Sequence, residues 1–258
     1  MKATELEHYI WERKKHKDIL IMTHIVIGYP SYEESYQLVE AMVEAGVDLM
    51  ELQIPFSEPI ADGPVILKAN QQALNNGVTV KGCMELAGEI ANTFEIPFLI
   101  MSYYNVVYKY GIKEFVDSMK KKSLKGAIIA DLPPEEGSEY FSEMKKQGLC
   151  PIILFSPTTP FERMKYISSF GDGFVYCVAR KGVTGAKTEF SQQLIEYLSR
   201  CRKATTLPLA LGFGVKEKAD IDFLKGKVEI AVIGTQTLRV LERDGISGVK
   251  EFLKGLRT

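Results

Sequence analysis

The sequence predicts an α/β chain folded as a single (β/α)8 TIM barrel, with an N-terminal capping helix and an extra helical segment in the second βα loop. Three observations carry this. Eight short apolar runs alternate with amphipathic stretches along the chain. No linker-like or low-complexity stretch divides the 258 residues, so 1–258 reads as one domain. The turn after the first apolar run is Gly28-Tyr-Pro30-Ser31, which is no glycine-rich dinucleotide fingerprint and argues against an open doubly wound sheet.

Residues 3–16 place Leu6, Tyr9 and Ile10 on one side and Glu, Lys and Arg on the other, as a capping helix would. The run 19–27 is apolar except at Thr23 and His24, the pattern of a parallel strand buried on both faces. Ser31 suits the N-cap of a helix over 32–45 that ends at Gly46. Further strands are expected at 47–53, 97–102, 126–131, 151–155, 173–178, 208–212 and 228–233. Helices are expected at 79–94, 111–122, 135–147, 160–170, 189–202, 216–225 and 246–256. The segment 64–75 is the extra helix after strand two.

Composition narrows the function. The formal net charge is -1 with 25% charged residues of both signs, which points away from nucleic acid and from an anionic membrane surface. No apolar run reaches membrane-spanning length, and the first residues lack a signal-peptide core. The four cysteines, Cys83, Cys150, Cys177 and Cys201, show no CxxC spacing and read as reduced, so a cytoplasmic location is expected. The three histidines all lie in the first 24 residues, with no His/Cys cluster elsewhere, so no metal site is expected.

In such a barrel the chemistry sits at the C-terminal ends of the strands. Alternation along strand two puts Leu49, Glu51 and Gln53 on one face and Met50, Leu52 and Ile54 on the other. The more apolar set suits the helix side, so Glu51 should point into the barrel near its mouth. Burial there favours a neutral carboxyl, which suits a general acid; a structural Glu satisfied by its neighbours is the competing reading. Asp62 follows in the loop, fixed by Gly63-Pro64, and an N-cap for the helix at Pro64 explains it equally well. Glu58 reads as solvated or as an interface residue.

Two glycine turns end strands seven and eight, Leu211-Gly-Phe-Gly214 and Ile233-Gly-Thr-Gln236. At those positions backbone N–H groups commonly hold a phosphate; Gly214, Gly234 and Thr235 fit that role, and Gly212 would add flexibility. The stretch 179–188 after strand six is basic and glycine-bearing, as a mobile lid or a solvated loop would be. Tyr176 lines the pocket or packs. Ser102-Tyr-Tyr-Asn105 and Asp131-Leu-Pro-Pro134 orient a ligand or bond to loop backbone. No lysine stands inside a strand as an imine-forming nucleophile would, and no Ser-His-Asp set is evident. Carbon–carbon cleavage here would rest on carboxylate acid/base chemistry.

The run Ile54-Pro-Phe-Ser57 with Ala61-Asp-Gly-Pro64 is highly specific. With Gly28-Tyr-Pro30, Tyr104-Asn105, Ala130-Asp-Leu-Pro133, Arg180-Lys-Gly-Val-Thr-Gly185 and Gly212-Phe-Gly214, it resembles the tryptophan synthase α-subunit family over essentially the whole chain. The resemblance implies a lyase that splits indole-3-glycerol phosphate into indole and glyceraldehyde 3-phosphate by a retro-aldol route. It implies that Glu51 protonates indole C3, that Asp62 holds the indole N–H, and that Tyr176 lies near the reacting atoms. It places Phe213, Gly214, Gly234 and Thr235 at the phosphate and Thr184 on the lid. It implies no cofactor in this chain, pyridoxal phosphate belonging to a partner β subunit, in an α2β2 heterotetramer through which indole passes. A chain that mainly activates its β subunit, and a stand-alone indole-forming lyase, are the alternatives. Three positions depart from the family's usual residues: Gln53 stands where glycine is usual, Glu58 where aspartate is usual, and His24 where an aromatic or apolar residue is common.

Overall fold

The computed structural model describes residues 4–179, 192–212 and 214–256. Eight parallel strands close into a barrel in sequence order: β1 (Leu20–Val26), β2 (Leu49–Gln53), β3 (Phe98–Ser102), β4 (Gly126–Ile129), β5 (Cys150–Phe155), β6 (Val175–Val178), β7 (Leu209–Gly212) and β8 (Ile230–Ile233). The barrel expected from the alternation is therefore present, and each strand lies within about two residues of its expected bounds.

Helices surround it: α1 (Glu5–Lys14), α2 (Tyr32–Glu44), α3 (Pro64–Asn75), α4 (Val80–Thr93), α5 (Tyr104–Tyr110), α6 (Ile112–Lys121), α7 (Ser138–Lys146), α8 (Phe161–Ser168), α9 (Gln192–Ala204), α10 (Lys218–Leu224) and α11 (Thr235–Gly255). Ser31 and Thr79 cap α2 and α4 as expected, each side-chain oxygen accepting an N–H three residues on, from Glu34 and Gly82 at 3.1 Å. Helix α3 is the extra segment of the second βα loop.

Two helical stretches were not expected. Helix α5 is built from Tyr-Asn-Val-Val-Tyr-Lys-Tyr, a run poor in strong helix formers; burial of Val106 and Val107 holds it in place. Helix α11 begins directly after β8 rather than at 246. It breaks at Gly245, whose φ of 68° and ψ of -169° separate two helical halves. Leu238 and Leu241, at helical spacing, bury the first half.

Alternation sorts the strands into two apolar layers. Leu20, Met22, Leu49, Leu99, Ile128, Ile152, Phe174, Ala210 and Ile230 fill the barrel interior. Ile21, Ile25, Met50, Leu52, Ile54, Ile100 and Ile153 pack outward against the helices. Leu6 and Ile10 of α1 belong to the inner layer, so α1 stoppers one end of the barrel. Arg13 and Lys17 help to fasten that end to buried Asp48, which also accepts the Ile21 N–H at 3.0 Å. Ile10→Ala should lower the unfolding free energy by about 2–5 kcal/mol. Urea unfolding followed by the fluorescence of the single tryptophan, Trp11 in α1, measures it.

Candidate functional site

The parallel register of β1 and β2 sets His24 level with Glu51, as directly paired Cα positions. Both side chains face the interior, and both are almost fully buried, at 3% and 4% exposure. His24 Nδ1 and Glu51 Oε1 share a hydrogen bond of 2.9 Å. The other atom of each group, His24 Nε2 and Glu51 Oε2, is buried without a hydrogen-bond partner. Glu51 thus lies where alternation along β2 places it.

Asp62 reaches the same place from the loop after β2. Gln53, two positions beyond Glu51 and on the same face, donates from Nε2 to Asp62 Oδ2 at 2.7 Å. Tyr103, at the end of β3, donates its hydroxyl to the same oxygen at 3.0 Å. That hydroxyl also accepts the Ala61 N–H at 3.1 Å, and the Tyr103 ring stacks on Phe56 with centroids 5.2 Å apart. The loop is further pinned by Asn70 of α3, which accepts the Phe56 N–H at 2.9 Å. Asp62 is not the helix cap: Gly63 holds that position in α3, with no side-chain cap bond. The two donors from the barrel wall draw the carboxylate inward instead. Glu58 is exposed, as expected.

The electrostatics follow from burial and from these partners. Burial raises Asp62 above the ordinary aspartate value, against the charge of His24 and the bonds from Gln53 and Tyr103, which favour the anion. Burial alone would depress His24. The hydrogen bond and charge of Glu51, with the charge of Asp62, outweigh it and raise His24 above the ordinary histidine value. Burial, reinforced by both carboxylates, drives the Tyr176 phenol far up, so it stays protonated across neutral pH.

Glu51, Asp62 and His24 line one cleft at the mouth of the barrel. Tyr176 lines it from β6, Gly214 from the turn after β7, and Gly234 and Thr235 from the start of α11. Six of the eight expected site residues therefore meet in one place. Thr184, Phe213 and residues 180–188, the stretch read as a lid or a solvated loop, lie outside the described residues. Gly212 acts differently from expectation. It lies in β7, and a Cβ there would sit 2.3 Å from the Tyr176 ring, so glycine makes room for the phenol rather than adding flexibility.

Lys216 and Arg239 also line the cleft beside these turns. Sequence reading passed over both, although Arg239 stands one helical turn beyond Thr235. It also treated Gln53 and His24 only as departures, whereas each bonds to one of the two carboxylates. Asp131 accepts the Tyr104 N–H at 2.7 Å, the backbone role foreseen for that turn. Among the described residues, no group of His, Cys, Asp and Glu could hold a metal ion. No helix among them is long and apolar enough to cross a membrane.

Known proteins resemble this chain in sequence and in fold. The family profile for the tryptophan synthase alpha chain matches residues 11–254. The chain belongs to the tryptophan synthase alpha chain family. It is 59% identical over 251 residues to the alpha chain of Desulforapulum autotrophicum, covering 97% of this chain and 99% of the relative. It is 56% identical to that of Syntrophotalea carbinolica, covering 98% and 100%. Among solved structures, Mycobacterium tuberculosis tryptophan synthase superposes with a TM-score of 0.93 at 26% identity, over 99% of this chain and 97% of that one. The alpha subunit of Legionella pneumophila gives 0.90 at 26% identity, over 99% and 98%. As an alpha chain, the protein is a lyase of tryptophan biosynthesis that pairs with a β subunit.

Gly212→Ala should displace Tyr176 and destabilise the fold by about 1–3 kcal/mol through overpacking. Urea unfolding checks the cost, and the KM for substrate reports the displaced phenol.

Proposed function

We propose that this cleft cleaves indole-3-glycerol phosphate with Glu51 as the acid and base and Asp62 as the anchor of the indole N–H. One observation carries the reading. Two buried carboxylates share the cleft, and each has one oxygen held by a neighbour, Glu51 by His24 and Asp62 by Gln53 and Tyr103.

The chemistry fits two groups of that kind. Protonated Glu51 delivers its proton to indole C3, and the ring becomes a cationic indolenine with its charge at the ring nitrogen. Asp62, as the anion, accepts the N–H bond and stabilises that charge where it develops. The bond from C3 to the glycerol chain then breaks, and its electron pair restores the aromatic indole. The hydroxyl on the departing carbon becomes the aldehyde and returns a proton to Glu51, which ends as it began. Neutral Tyr176 packs against the reacting atoms. The backbone N–H groups at Gly214, Gly234 and Thr235, beside Lys216 and Arg239, receive the phosphate.

The partner is a β subunit, in an α2β2 assembly that carries the pyridoxal phosphate on the β side. Exposed Ile60 and Tyr108 stand near the mouth of the barrel, on the loop after β2 and on α5, and support docking there. The four described cysteines are free and buried, which fits the reducing cytoplasm.

Glu51→Gln should cut indole formation by about 10²–10⁴-fold with the circular dichroism unchanged. Full activity in that variant would remove Glu51 from the chemistry. The reaction needs ionised Asp62, whose pKa is raised, so activity should fall on acidification at a pH above the ordinary aspartate range. Tyr103→Phe removes a bond that favours the anion, so Asp62 should rise further and the acidic limb of kcat/KM should move to higher pH. A pH profile of the variant against the parent chain measures the shift.

A further inference from the structure

We propose that His24 is a positioning residue for the lyase reaction: its Nδ1 fixes Glu51 Oε1, and the imidazole and carboxyl hold one transferable proton as a unit. The inference rests on the reading of Glu51 as the acid and deepens it. The two residues are register partners on adjacent strands, so the backbone itself brings the side chains together. The bond is 2.9 Å and buried from solvent, where a charge without a partner would be costly. Both groups line the cleft, and Glu51 Oε2 and His24 Nε2 are the atoms left without partners. The pair therefore has its inner atoms committed to each other and one further proton site on each member.

The groups around the pair stand on several elements. Glu51 and Gln53 stand on β2, Asp62 on the loop after it, and Tyr176 on β6. Lys216 and Arg239 line the cleft from beyond β7 and from α11. Gly234 packs closely on His24, a Cβ there falling 3.3 Å from the His24 Cβ, and Thr237 Oγ1 lies 3.5 Å from the His24 carbonyl oxygen. Glu51 of β2 thus holds the imidazole, while Gly234 and Thr237 of the α11 start pack on the His24 Cβ and backbone. The hydrogen bond and charge of Glu51, with the charge of Asp62, raise His24 above the ordinary histidine value. When Glu51 gives its proton to indole C3, the carboxylate left behind is stabilised by the imidazole N–H. It then takes the hydroxyl proton of the departing chain, and the pair is restored with the same number of protons.

The test uses the full chain with its β subunit and indole-3-glycerol phosphate. His24→Gln keeps an N–H donor in the slot but cannot carry a proton; His24→Phe removes both. For His24→Gln, the basic limb of the kcat profile should move down by about one pH unit or more, because the slot then holds no imidazole to share the proton. KM should change by less than about threefold, since the phosphate and indole contacts remain. His24→Phe should show the same displacement with a lower kcat. A His24→Gln profile that superimposes on the parent overturns the proposal and leaves Glu51 as the acid by itself. The second measurement does not depend on turnover. With three histidines in the chain, the ring signals of His24 can be followed by NMR in the free protein. His24 should titrate above an ordinary histidine, and Glu51→Gln should bring it down. A titration unmoved by Glu51→Gln overturns the pair whatever Glu51 does in catalysis. Loss of activity in Glu51→Gln together with unshifted His24 behaviour sinks this inference alone, and retained activity in Glu51→Gln sinks the parent reading instead.

Discussion

A carboxylate inside a closed barrel must be held by whatever the neighbouring strand sets beside it. Here the register of β1 against β2 makes that neighbour His24. A shift of one residue would turn every inward side chain of β1 outward and leave Glu51 facing an apolar wall. The closed order of eight strands fixes this register, because each strand is bonded on both sides. The hydrophobic layers and the chemistry therefore depend on the same pairing: Leu20 and Met22 fill the lower barrel, and His24, next on that face, reaches the cleft.

Asp62 is held by a different device. It lies on a loop, and a loop carboxylate would ordinarily be mobile and wet. Tyr103 removes that freedom by joining the loop backbone at Ala61 to the side chain of Asp62 through one hydroxyl. Gln53 adds a second donor from the strand itself. Its length is what lets a strand residue reach the loop, and a glycine at that position would leave Tyr103 to hold the carboxylate from the protein side. The site thus answers burial with named partners for each charge, and the two carboxylates differ because their partners differ. Glu51 faces a group that can carry a proton, and Asp62 accepts hydrogen bonds from two neutral groups.

Glycines after β7 and β8 shape another part of the cleft. Gly212 admits the Tyr176 ring, and Gly214 takes a φ of 124°, which a side chain would resist. Helix α11 follows its N-cap Gly234, and Gly234, Thr235 and Gln236 line the cleft. The residues proposed for acid/base chemistry stand on β1 and β2 and those proposed for the anion follow β7 and β8; because closure of the sheet pairs β8 with β1, these four strands are neighbours and bring both sets into one cleft.

The sequence by itself determined the barrel, the inward face of β2 and the pairing of Glu51 with Asp62 as candidates. Those follow from period-two alternation, from the eight apolar runs and from a specific loop motif, all local properties of the chain. It also marked Gln53 and His24 as unusual without saying what they touch. Their partners lie across a strand boundary or a loop, and only register and closure decide such contacts. The same reason explains the helices that were missed. Helix α5 has weak intrinsic propensity and exists because Val106 and Val107 are buried. The first half of α11 hid behind a glycine turn. Asp62 could have capped α3 on local rules; tertiary donors on the barrel wall drew it inward, because a buried carboxylate gains more from Gln53 and Tyr103 than from one backbone N–H.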